Sequence, residues 1–398
     1  MTSEERKEGR YQRRRAGREA KRRARSEACG SFEQVFSYEN LYKAGLACCK
    51  GVRWKCSTQR YLASLSENTA RTRKALMDGT WKTMGFHEFD IMERGKLRHI
   101  RSVHISERVV QRCLCDNALV PLFSSAFIYD NAASLKGKGI DFAMDRMNRH
   151  LQRHYRKHGM QGGILVFDFT DYFNSAPQEP IHRENRRRLY DERVRERAES
   201  FMADFGERGF GLGSQVSQID ALMLGNGLDH FIKEQLKAVH YIRYMDDMVV
   251  FGKNKKELHR MQQEIERFLR EKFNLQMKGN WQVFRFNYTE KKTGKRKGRP
   301  LDFMGFQFYH DKTILRESIM LSCTRKVNRV AKKEKITWYD ATAILSYMGY
   351  LSNTDTYDMY LQRVKPYVNV KKLKKIVSKH SKRKEREKHE RMERSVRN

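Results

Sequence analysis

Two adjacent carboxylates, Asp246 and Asp247, stand between short apolar runs in this chain. The runs are Tyr241 and Ile242 on one side and residues 248–251 on the other. Because side chains alternate faces along a strand, both carboxylates approach one site only where the chain turns. The pattern therefore predicts a strand, a tight turn and a second strand. Burying two charges is costly, and a pair of divalent metal ions offsets this cost. If only these two residues are considered, a solvated turn on the surface is the alternative.

The chain carries a large excess of positive charge. Its 398 residues include 82 lysines and arginines against 48 aspartates and glutamates, a formal net charge of +34. This excess is greater than solubility requires, so a polyanionic partner is the simplest explanation. Nucleic acid is favoured over a membrane surface because the sequence has no long uncharged apolar segment. No association with a membrane is expected.

The N-terminus and the cysteines indicate an intracellular protein. The first residues lead into an arginine-rich stretch without an apolar core, so no secretory signal is expected and the predicted location is cytoplasmic. The seven cysteines form no paired CxxC motifs, which favours reduced thiols. A zinc site among Cys48, Cys49 and Cys56 is the minority alternative, since no second pair of ligands accompanies them.

Two segments before the aspartate pair have compositions that suit a functional site. Residues 164–167 form a short, continuous apolar run, which predicts a buried strand that ends at Asp168. Several glycines between residues 206 and 213 precede a helix predicted from about Gln215 to Leu236. A carboxylate at the end of a strand and a glycine-rich approach to a helix are therefore expected near the hairpin.

Three segments together resemble the palm of reverse transcriptases. They are residues 167–173, residues 211–218 and residues 244–247. Their order and spacing carry the resemblance, with Asp168 and Asp246 separated by 78 positions (246 minus 168). The match of three separate segments makes a chance solvated turn at the aspartate pair a weak explanation.

The resemblance extends to other parts of these enzymes. Residues 95–98 are similar to the fingers motif, residues 131–139 to the basic loop before the palm, and residues 302–306 to the primer-grip hairpin. Roughly residues 60–360 are covered. The sequence Ser217-Gln218 is similar to bacterial reverse transcriptases of diversity-generating retroelements, retrons and defence-associated groups.

This resemblance implies an α+β right-hand polymerase. Such a fold has fingers, a palm with a small antiparallel sheet packed on helices, and a helical thumb. The implied parts are a basic arm that is disordered or helical at 1–28, fingers at 29–160, palm at 161–310, thumb at 311–370 and a basic tail at 371–398.

The resemblance also implies a two-metal site for nucleotidyl transfer. Asp168, Asp246 and Asp247 are the implied catalytic residues, and Asp168, Asp246 and the backbone of Phe169 are the implied metal ligands. Two Mg²⁺ ions suit hard oxygen ligands, with Mn²⁺ as the alternative. In such a site two ions about 3.5 to 4 Å apart activate the attacking hydroxyl and neutralise the leaving pyrophosphate. A strand-end cap at Asp168 and a turn-forming role for Asp247 are the structural alternatives.

Further residues are implied to contact the nucleotide or the nucleic acid. Lys96 and Arg98 are candidates for gripping the triphosphate, since a guanidinium bridges phosphate oxygens; solvated hairpin charges are the alternative. Phe173 matches an aromatic residue placed against the sugar, where its bulk excludes a 2′-hydroxyl; a core aromatic is the alternative. The resemblance implies that Gly213, Ser214 and Gln215 lie beneath the nascent base pair. The alternative is that they only form the start of a helix. The implied nucleic-acid contacts are Lys136, Lys138, Tyr244 and Met245.

The implied activity is RNA-directed DNA synthesis in a diversity-generating retroelement or an antiphage defence system. The implied partners are a structured noncoding RNA template, deoxynucleoside triphosphates and the cDNA product, and an accessory protein is left open. RNA-templated RNA synthesis is one alternative, against which Phe173 argues. A noncatalytic RNA-binding protein on a palm scaffold is another, against which the three aspartates argue. The general acid for pyrophosphate is unassigned, with Lys278 as a candidate.

Overall fold

Helices packed around small antiparallel sheets form the α+β fold that the sequence predicts. The structure is a computed structural model that describes residues 2–397 except Trp54, Arg94, Gly95, Leu212, Asn287, Lys291, Ser352 and Asn353. The side chains of Glu93, Lys96, Tyr288, Arg296, Lys384, Glu385 and residues 388–397 also lie outside this description.

The N-terminal part consists of helices followed by one long hairpin. The basic N-terminal stretch is a helix that begins after Thr2, whose hydroxyl accepts a hydrogen bond from the Glu5 N–H while the Glu5 carboxylate accepts one from the Thr2 N–H. The helices are α1 (Ser3–Cys29), α2 (Phe32–Val35), α3 (Tyr38–Cys49), α4 (Cys56–Ala63) and α5 (Leu65–Met77). The hairpin strands are β1 (Phe86–Glu93) and β2 (Lys96–Val103).

A long helical stretch follows the hairpin and supplies much of the core. Val109, Val110 and Leu114 lie on one helical face and are buried, because their spacing places them on the side that faces α3. A π-helical turn, Cys115–Leu119, joins the first two helices of this stretch. The helices are α6 (Ile105–Leu114), α7 (Val120–Ser124) and α8 (Ile140–His158).

Four antiparallel strands in the order β4-β5-β3-β6 form the central sheet. Its middle strands are apolar and buried, since helices pack against them. The strands are β3 (Gly163–Phe167), β4 (Tyr241–Tyr244), β5 (Asp247–Gly252) and β6 (Gln282–Arg285). In the described part of the chain, five α-helices lie between β3 and β6. They are α9 (Tyr172–Ser175), α10 (Glu179–Arg188), α11 (Glu192–Ala203), α12 (Gln215–His230) and α13 (Lys255–Phe273).

The C-terminal part has two further small sheets and four helices. A second apolar core forms where Phe303, Phe306 and Phe308 of one sheet pack with the helices that follow. The strands are β7 (Tyr288–Thr289), β8 (Arg296–Lys297), β9 (Leu301–Phe303), β10 (Phe306–Phe308) and β11 (Thr313–Leu315). The helices are α14 (Glu317–Ala331), α15 (Trp338–Leu351), α16 (Tyr357–Arg363) and α17 (Val370–Arg397). Among the described residues, no helix combines the length and apolar character needed to cross a bilayer.

Candidate active site

The β4–β5 hairpin and the end of β3 bring three aspartates to one edge of the central sheet. Met245 has a left-handed φ of 56° in the turn, which places Asp246 at the tip and Asp247 at the start of β5. Phe167, the last residue of β3, pairs with Met248 of β5. Asp168 therefore leaves β3 beside the turn. The strand, turn and second strand predicted around the aspartate pair are confirmed.

A pocket of about 720 Å³ opens at this edge of the sheet. Strand β2 of the N-terminal hairpin forms one wall, and the segment between β3 and α9 forms another. The residues that line the pocket include Arg98, Asp168, Phe169, Phe173, Asp246 and Lys278. The fold thus gathers residues from four distant parts of the sequence around one space.

The carboxylates in and beside this pocket are held close to one another. Lys278 Nζ donates a hydrogen bond to Asp168 Oδ2 at 2.8 Å. Burial, and then the Asp168 carboxylate, raise the pKa of Asp246. Burial, and then both neighbouring aspartates, raise the pKa of Asp247 to about 6. Burial is the main cause of both pKa shifts and the neighbouring carboxylates add to it, so a bound cation would favour the charged forms of these aspartates.

The donor set suits a hard divalent cation that also binds a substrate. Asp168 Oδ1 is buried and has no hydrogen-bond partner among the described residues, so one carboxylate oxygen is left for another ligand. Across that same part of the chain, no three His, Cys, Asp or Glu side chains are placed to hold a metal ion by themselves. Mg²⁺ is commonly bound by one or two carboxylates together with substrate phosphates. Asp168 and Asp246 both line the pocket, so they are the carboxylates that could share such an ion with a substrate.

A fully buried ion pair between Arg243 and Asp229 supports the β4–β5 hairpin. The side chains of Arg243 and Asp229 are both 0% exposed. Arg243 Nη2 donates to Asp229 Oδ2 at 2.7 Å, and Nε donates to Oδ1 at 2.8 Å. Arg243 Nη1 also donates to the Met245 carbonyl at 3.2 Å, which ties the turn to α12. The sequence interpretation missed this pair, although an arginine inside the apolar strand Tyr241–Tyr244 was a signal for it.

Aromatic packing orients the segment that follows Asp168. The rings of Phe169 and Tyr172 are stacked with centroids 4.6 Å apart, and Phe173 meets Tyr172 edge-on at 5.9 Å. Tyr172 is buried and its hydroxyl donates to the Ala221 carbonyl at 2.6 Å. Phe173 is only half-buried and lines the pocket. All three rings line the pocket, but Phe169 and Tyr172 are buried in the core and Phe173 is the more exposed of the three.

Of the other expected nucleotide contacts, Gly213, Ser214 and Gln215 do not line the pocket. Arg98 lines it, whereas the side chain of Lys96 lies outside the described part of the chain. Gly213 has a φ of 122°, and a Cβ there would lie 2.5 Å from the Arg101 carbonyl oxygen of β2. Ser214 is buried at the start of α12, where its hydroxyl accepts a hydrogen bond from the Ser217 N–H at 3.3 Å. The adjoining Gln215 N–H donates to the Gln111 side chain at 3.2 Å.

The expected nucleic-acid contacts do not line the pocket. Lys138 Nζ donates to the Tyr129 carbonyl at 2.6 Å and lies 3.6 Å from the Phe142 ring centroid. Lys136 is exposed on the same loop. The two hairpin residues expected to contact nucleic acid, Tyr244 and Met245, pack partly against the apolar core. Their functional roles stay predictions.

Comparison with known protein families assigns the chain to one of them. Residues 88–308, which are 221 of the 398 residues (308 minus 88, plus 1), match the family described as reverse transcriptase (RNA-dependent DNA polymerase). The chain belongs to this family. The predicted fold class, a right-hand polymerase with fingers, palm and thumb, and the predicted enzyme class, an RNA-directed DNA polymerase, are confirmed.

Similar solved structures include two telomerases. The C-terminally truncated apo telomerase of Candida tropicalis is 12% identical with a TM-score of 0.43, and the match covers 58% of this chain and 54% of that one. The telomerase of Candida albicans in complex with a fragment of telomeric RNA is 10% identical with a TM-score of 0.42, covering 77% of this chain and 59% of that one. This chain thus spans little more than half the length of either. No curated protein sequence matches.

Proposed function

We propose that this chain extends a primer with deoxynucleoside triphosphates on an RNA template. The observation that carries the proposal is the pocket of about 720 Å³ in which Asp168 and Asp246 stand together with Arg98 and Phe173. Nucleotidyl transfer requires metal-binding carboxylates and a cation that binds phosphate in one place, and Phe173 adds an aromatic ring beside them. Membership of the reverse transcriptase family supports this activity.

Asp168, Asp246 and the backbone carbonyl of Phe169 are the proposed ligands of two Mg²⁺ ions, with Mn²⁺ as an alternative. The unpartnered Asp168 Oδ1 supports this choice. When bound, the ions activate the primer hydroxyl and offset the charge of the leaving pyrophosphate. Asp247 does not line the pocket, and we propose that it acts indirectly, through the charge of the hairpin. Lys278, which also lines the pocket, orients the Asp168 carboxylate through its hydrogen bond.

The remaining proposed contacts concern the substrates. Arg98 binds the triphosphate, and Phe173 excludes the 2′-hydroxyl of a ribonucleotide. Because Gly213 has no Cβ, the backbone just before α12 approaches the backbone of β2 closely. The other residues proposed to contact nucleotide or nucleic acid are Lys96, Ser214, Gln215, Lys136, Lys138, Tyr244 and Met245.

We further propose that the template is a structured noncoding RNA and that the product is a cDNA used in diversification or in antiphage defence. The serine-glutamine sequence at Ser217 supports a bacterial system of this kind, and the net charge of +34 supports binding to RNA. The proposed division is an arm at 1–28, fingers at 29–160, palm at 161–310, thumb at 311–370 and a basic tail at 371–398. The sheet β9–β11 spans the boundary at residue 310.

A primer-extension assay tests the proposed activity. Purified protein is incubated with primed RNA, Mg²⁺ and either deoxynucleotides or ribonucleotides. We expect DNA synthesis with deoxynucleotides, and a fall of about a hundredfold or more in the Asp246→Ala variant, the scale at which single catalytic groups act. Asp311→Ala removes an exposed carboxylate from the loop between β10 and β11 and serves as the control, with unchanged activity.

Two outcomes would overturn the proposal. Product formed mainly from ribonucleotides would make the chain an RNA polymerase. If the wild type forms no product with either nucleotide set while Asp246→Ala still binds the RNA normally, the chain is a noncatalytic RNA-binding protein. Sequencing of genes next to its own distinguishes diversification, which requires a template repeat and a variable repeat, from defence.

A further inference from the structure

A second cleft, of about 740 Å³, lies between α1, α10 and the last turns of α12. Helix α1 contributes Arg18, Lys21, Arg22 and Arg25 to one wall. Their i, i+3, i+4, i+7 spacing puts these side chains on one helical face. At a rise of about 1.5 Å per residue, the four cations extend about 10 Å along the helix axis. We call this space the basic cleft.

The opposite side of the basic cleft is also cationic. Arg183, Arg187 and Arg188 of α10 line it, together with Lys272 at the end of α13. Of the described residues that line the cleft, one is acidic: Glu184, which accepts hydrogen bonds from Arg187 at 3.0 Å and from Arg188 at 2.9 Å. Cations therefore outnumber anions on both walls, and their mutual repulsion is relieved by a bound polyanion.

The row of cations on α1 continues beyond the cleft. Arg15 and Tyr11, on the same helical face, line an adjoining cavity with Arg186 and Tyr190. From Tyr11 to Arg25 the face extends over 14 residues (25 minus 11), or about 21 Å. This length accommodates several consecutive phosphates of one nucleic-acid strand.

The guanidinium of Arg22 provides an independent observation. Its Nε atom is buried without a hydrogen-bond partner among the residues that the structure describes. Arg22 lines both the cleft and the adjoining cavity, so its side chain lies where the two meet. A buried donor is costly unless it is satisfied, and a phosphate oxygen is the acceptor that a guanidinium binds best.

The floor of the cleft favours nucleic acid over a lipid headgroup or an acidic peptide. Phe268 and Phe273 line it beside Met223 and Leu224. Aromatic rings beneath a cationic groove are the arrangement that binds single strands, since phosphates contact the cations and bases stack on rings. Unpaired RNA segments expose their bases in this way, whereas a lipid surface requires apolar groups that project outward.

The basic cleft is separate from the candidate active-site pocket. Gly211 lines the pocket just before α12, whereas Asn226 and Gly227 near the other end of that helix line the cleft. From Gln215 to Gly227 is 12 residues (227 minus 215), or about 18 Å along the helix axis. No described residue lines both spaces, so a ligand in the cleft leaves the pocket open.

We propose that the basic cleft binds an unpaired segment of RNA and so holds the template RNA on the protein while another part of it is copied. The binding follows from the cleft alone. Only the link to copying rests on the proposed polymerase function.

A matched pair of variants tests this site. In the cleft variant, Arg18→Gln, Arg22→Gln and Arg183→Gln are combined. In the control variant, Lys255→Gln, Lys256→Gln and Arg260→Gln remove the same charge from the exposed start of α13. The probe is a fluorescein-labelled oligouridine of about 20 nucleotides, longer than one binding site. Its affinity is measured by fluorescence anisotropy over a range of salt concentrations.

The cleft variant is expected to lose about 2 units from the slope of log affinity against log salt concentration, because each of three lost phosphate contacts contributes about 0.7. The control variant keeps the slope within about half a unit of wild type. Extension of a saturating, short primer–template duplex stays at the wild-type rate in both. A wild-type slope in the cleft variant would overturn the proposal.

Three further outcomes are distinguishable. If the cleft variant unfolds, cross-linking of 4-thiouridine RNA to the wild-type protein decides: adducts on peptides from α1 and α10 support the site, and adducts found only elsewhere refute it. If vesicles containing phosphatidylserine lose affinity for the cleft variant while RNA does not, the cleft is a membrane site and the proposal is wrong. If oligouridine binding depends on the cleft but no protein extends a primer, the binding site stands and the polymerase proposal fails.

Discussion

Removing the buried arginine behind the aspartate hairpin is expected to destabilise the fold and weaken catalysis together. In wild type, the Asp229 carboxylate accepts three hydrogen bonds from Arg243 and one from the Tyr241 hydroxyl at 2.7 Å. Burial by itself lowers the pKa of Arg243, but the Asp229 carboxylate raises it above its ordinary value. Arg243→Met removes the cation that pairs with the fully buried Asp229 carboxyl and leaves the Tyr241 hydroxyl as its remaining donor among the described residues.

The size of this effect follows from the cost of an unpaired buried charge. Breaking such a pair costs about 3 to 5 kcal/mol, whereas replacing both partners with apolar residues is often close to neutral. We therefore expect Arg243→Met to lower the free energy of unfolding by about 3 to 5 kcal/mol. The double variant Arg243→Met/Asp229→Leu should recover most of that loss, minus about 1 kcal/mol for the Tyr241 hydroxyl that loses its acceptor.

Urea unfolding and primer extension measure the two parts of this prediction. Because Arg243 also donates to the Met245 carbonyl at 3.2 Å, the double variant should regain stability but not the full rate of extension. Binding of the primed RNA should stay near wild type in the double variant. The reasoning is refuted if Arg243→Met costs less than about 1 kcal/mol, or if the double variant is no more stable than the single one.

Three other changes have clear expected outcomes. Phe173→Ala should admit ribonucleotides during extension, and unchanged sugar selectivity in a competition assay would count against its assignment. Gly213→Ala should cost about 1 to 3 kcal/mol, because φ is 122° and a Cβ would lie 2.5 Å from the backbone of β2; a thermal melt checks this against Gly279→Ala, where no atom lies within 4 Å. Burial lowers the pKa of both His154 and His240 to about 4, so they remain neutral in the fold but protonate near pH 6.5 when unfolded. Stability should therefore fall as pH drops from about 6.5 towards 4, and His154→Gln should flatten this loss; an identical pH dependence in wild type and variant would contradict it.

Local sequence patterns predicted the elements that carry the site. The apolar run before Asp168 forms strand β3, and the apolar runs around Asp246 form strands β4 and β5. The helix expected from about Gln215 begins at that residue, since glycines and the Ser214 cap precede it. These features depend on neighbours in sequence, which is why periodicity and turn chemistry reveal them.

Contacts between distant segments were not predictable in the same way. Lys278 was a candidate for the general acid, but nothing in its sequence neighbourhood indicates that its ammonium lies 2.8 Å from Asp168, 110 positions away. Lys138 makes contacts that its basic loop does not indicate either: its ammonium lies over the Phe142 ring and donates to the Tyr129 carbonyl, and its contact with phosphate stays a prediction. The partner of a charged side chain is set by packing, and packing is not local.

The sequence alone determined the chemistry available to this protein: an aspartate pair in an apolar hairpin, a third aspartate at the end of a strand, and cations in large excess. These follow from residue type and short-range spacing. Only the tertiary structure decided which of these groups meet. The β3–β5 register places Asp168 beside Asp246, the buried Arg243 fixes the turn between them, and the packing of α1 against α10 gathers one set of cations into a cleft. These contacts join residues that are far apart in the sequence, so no local sequence pattern predicts them.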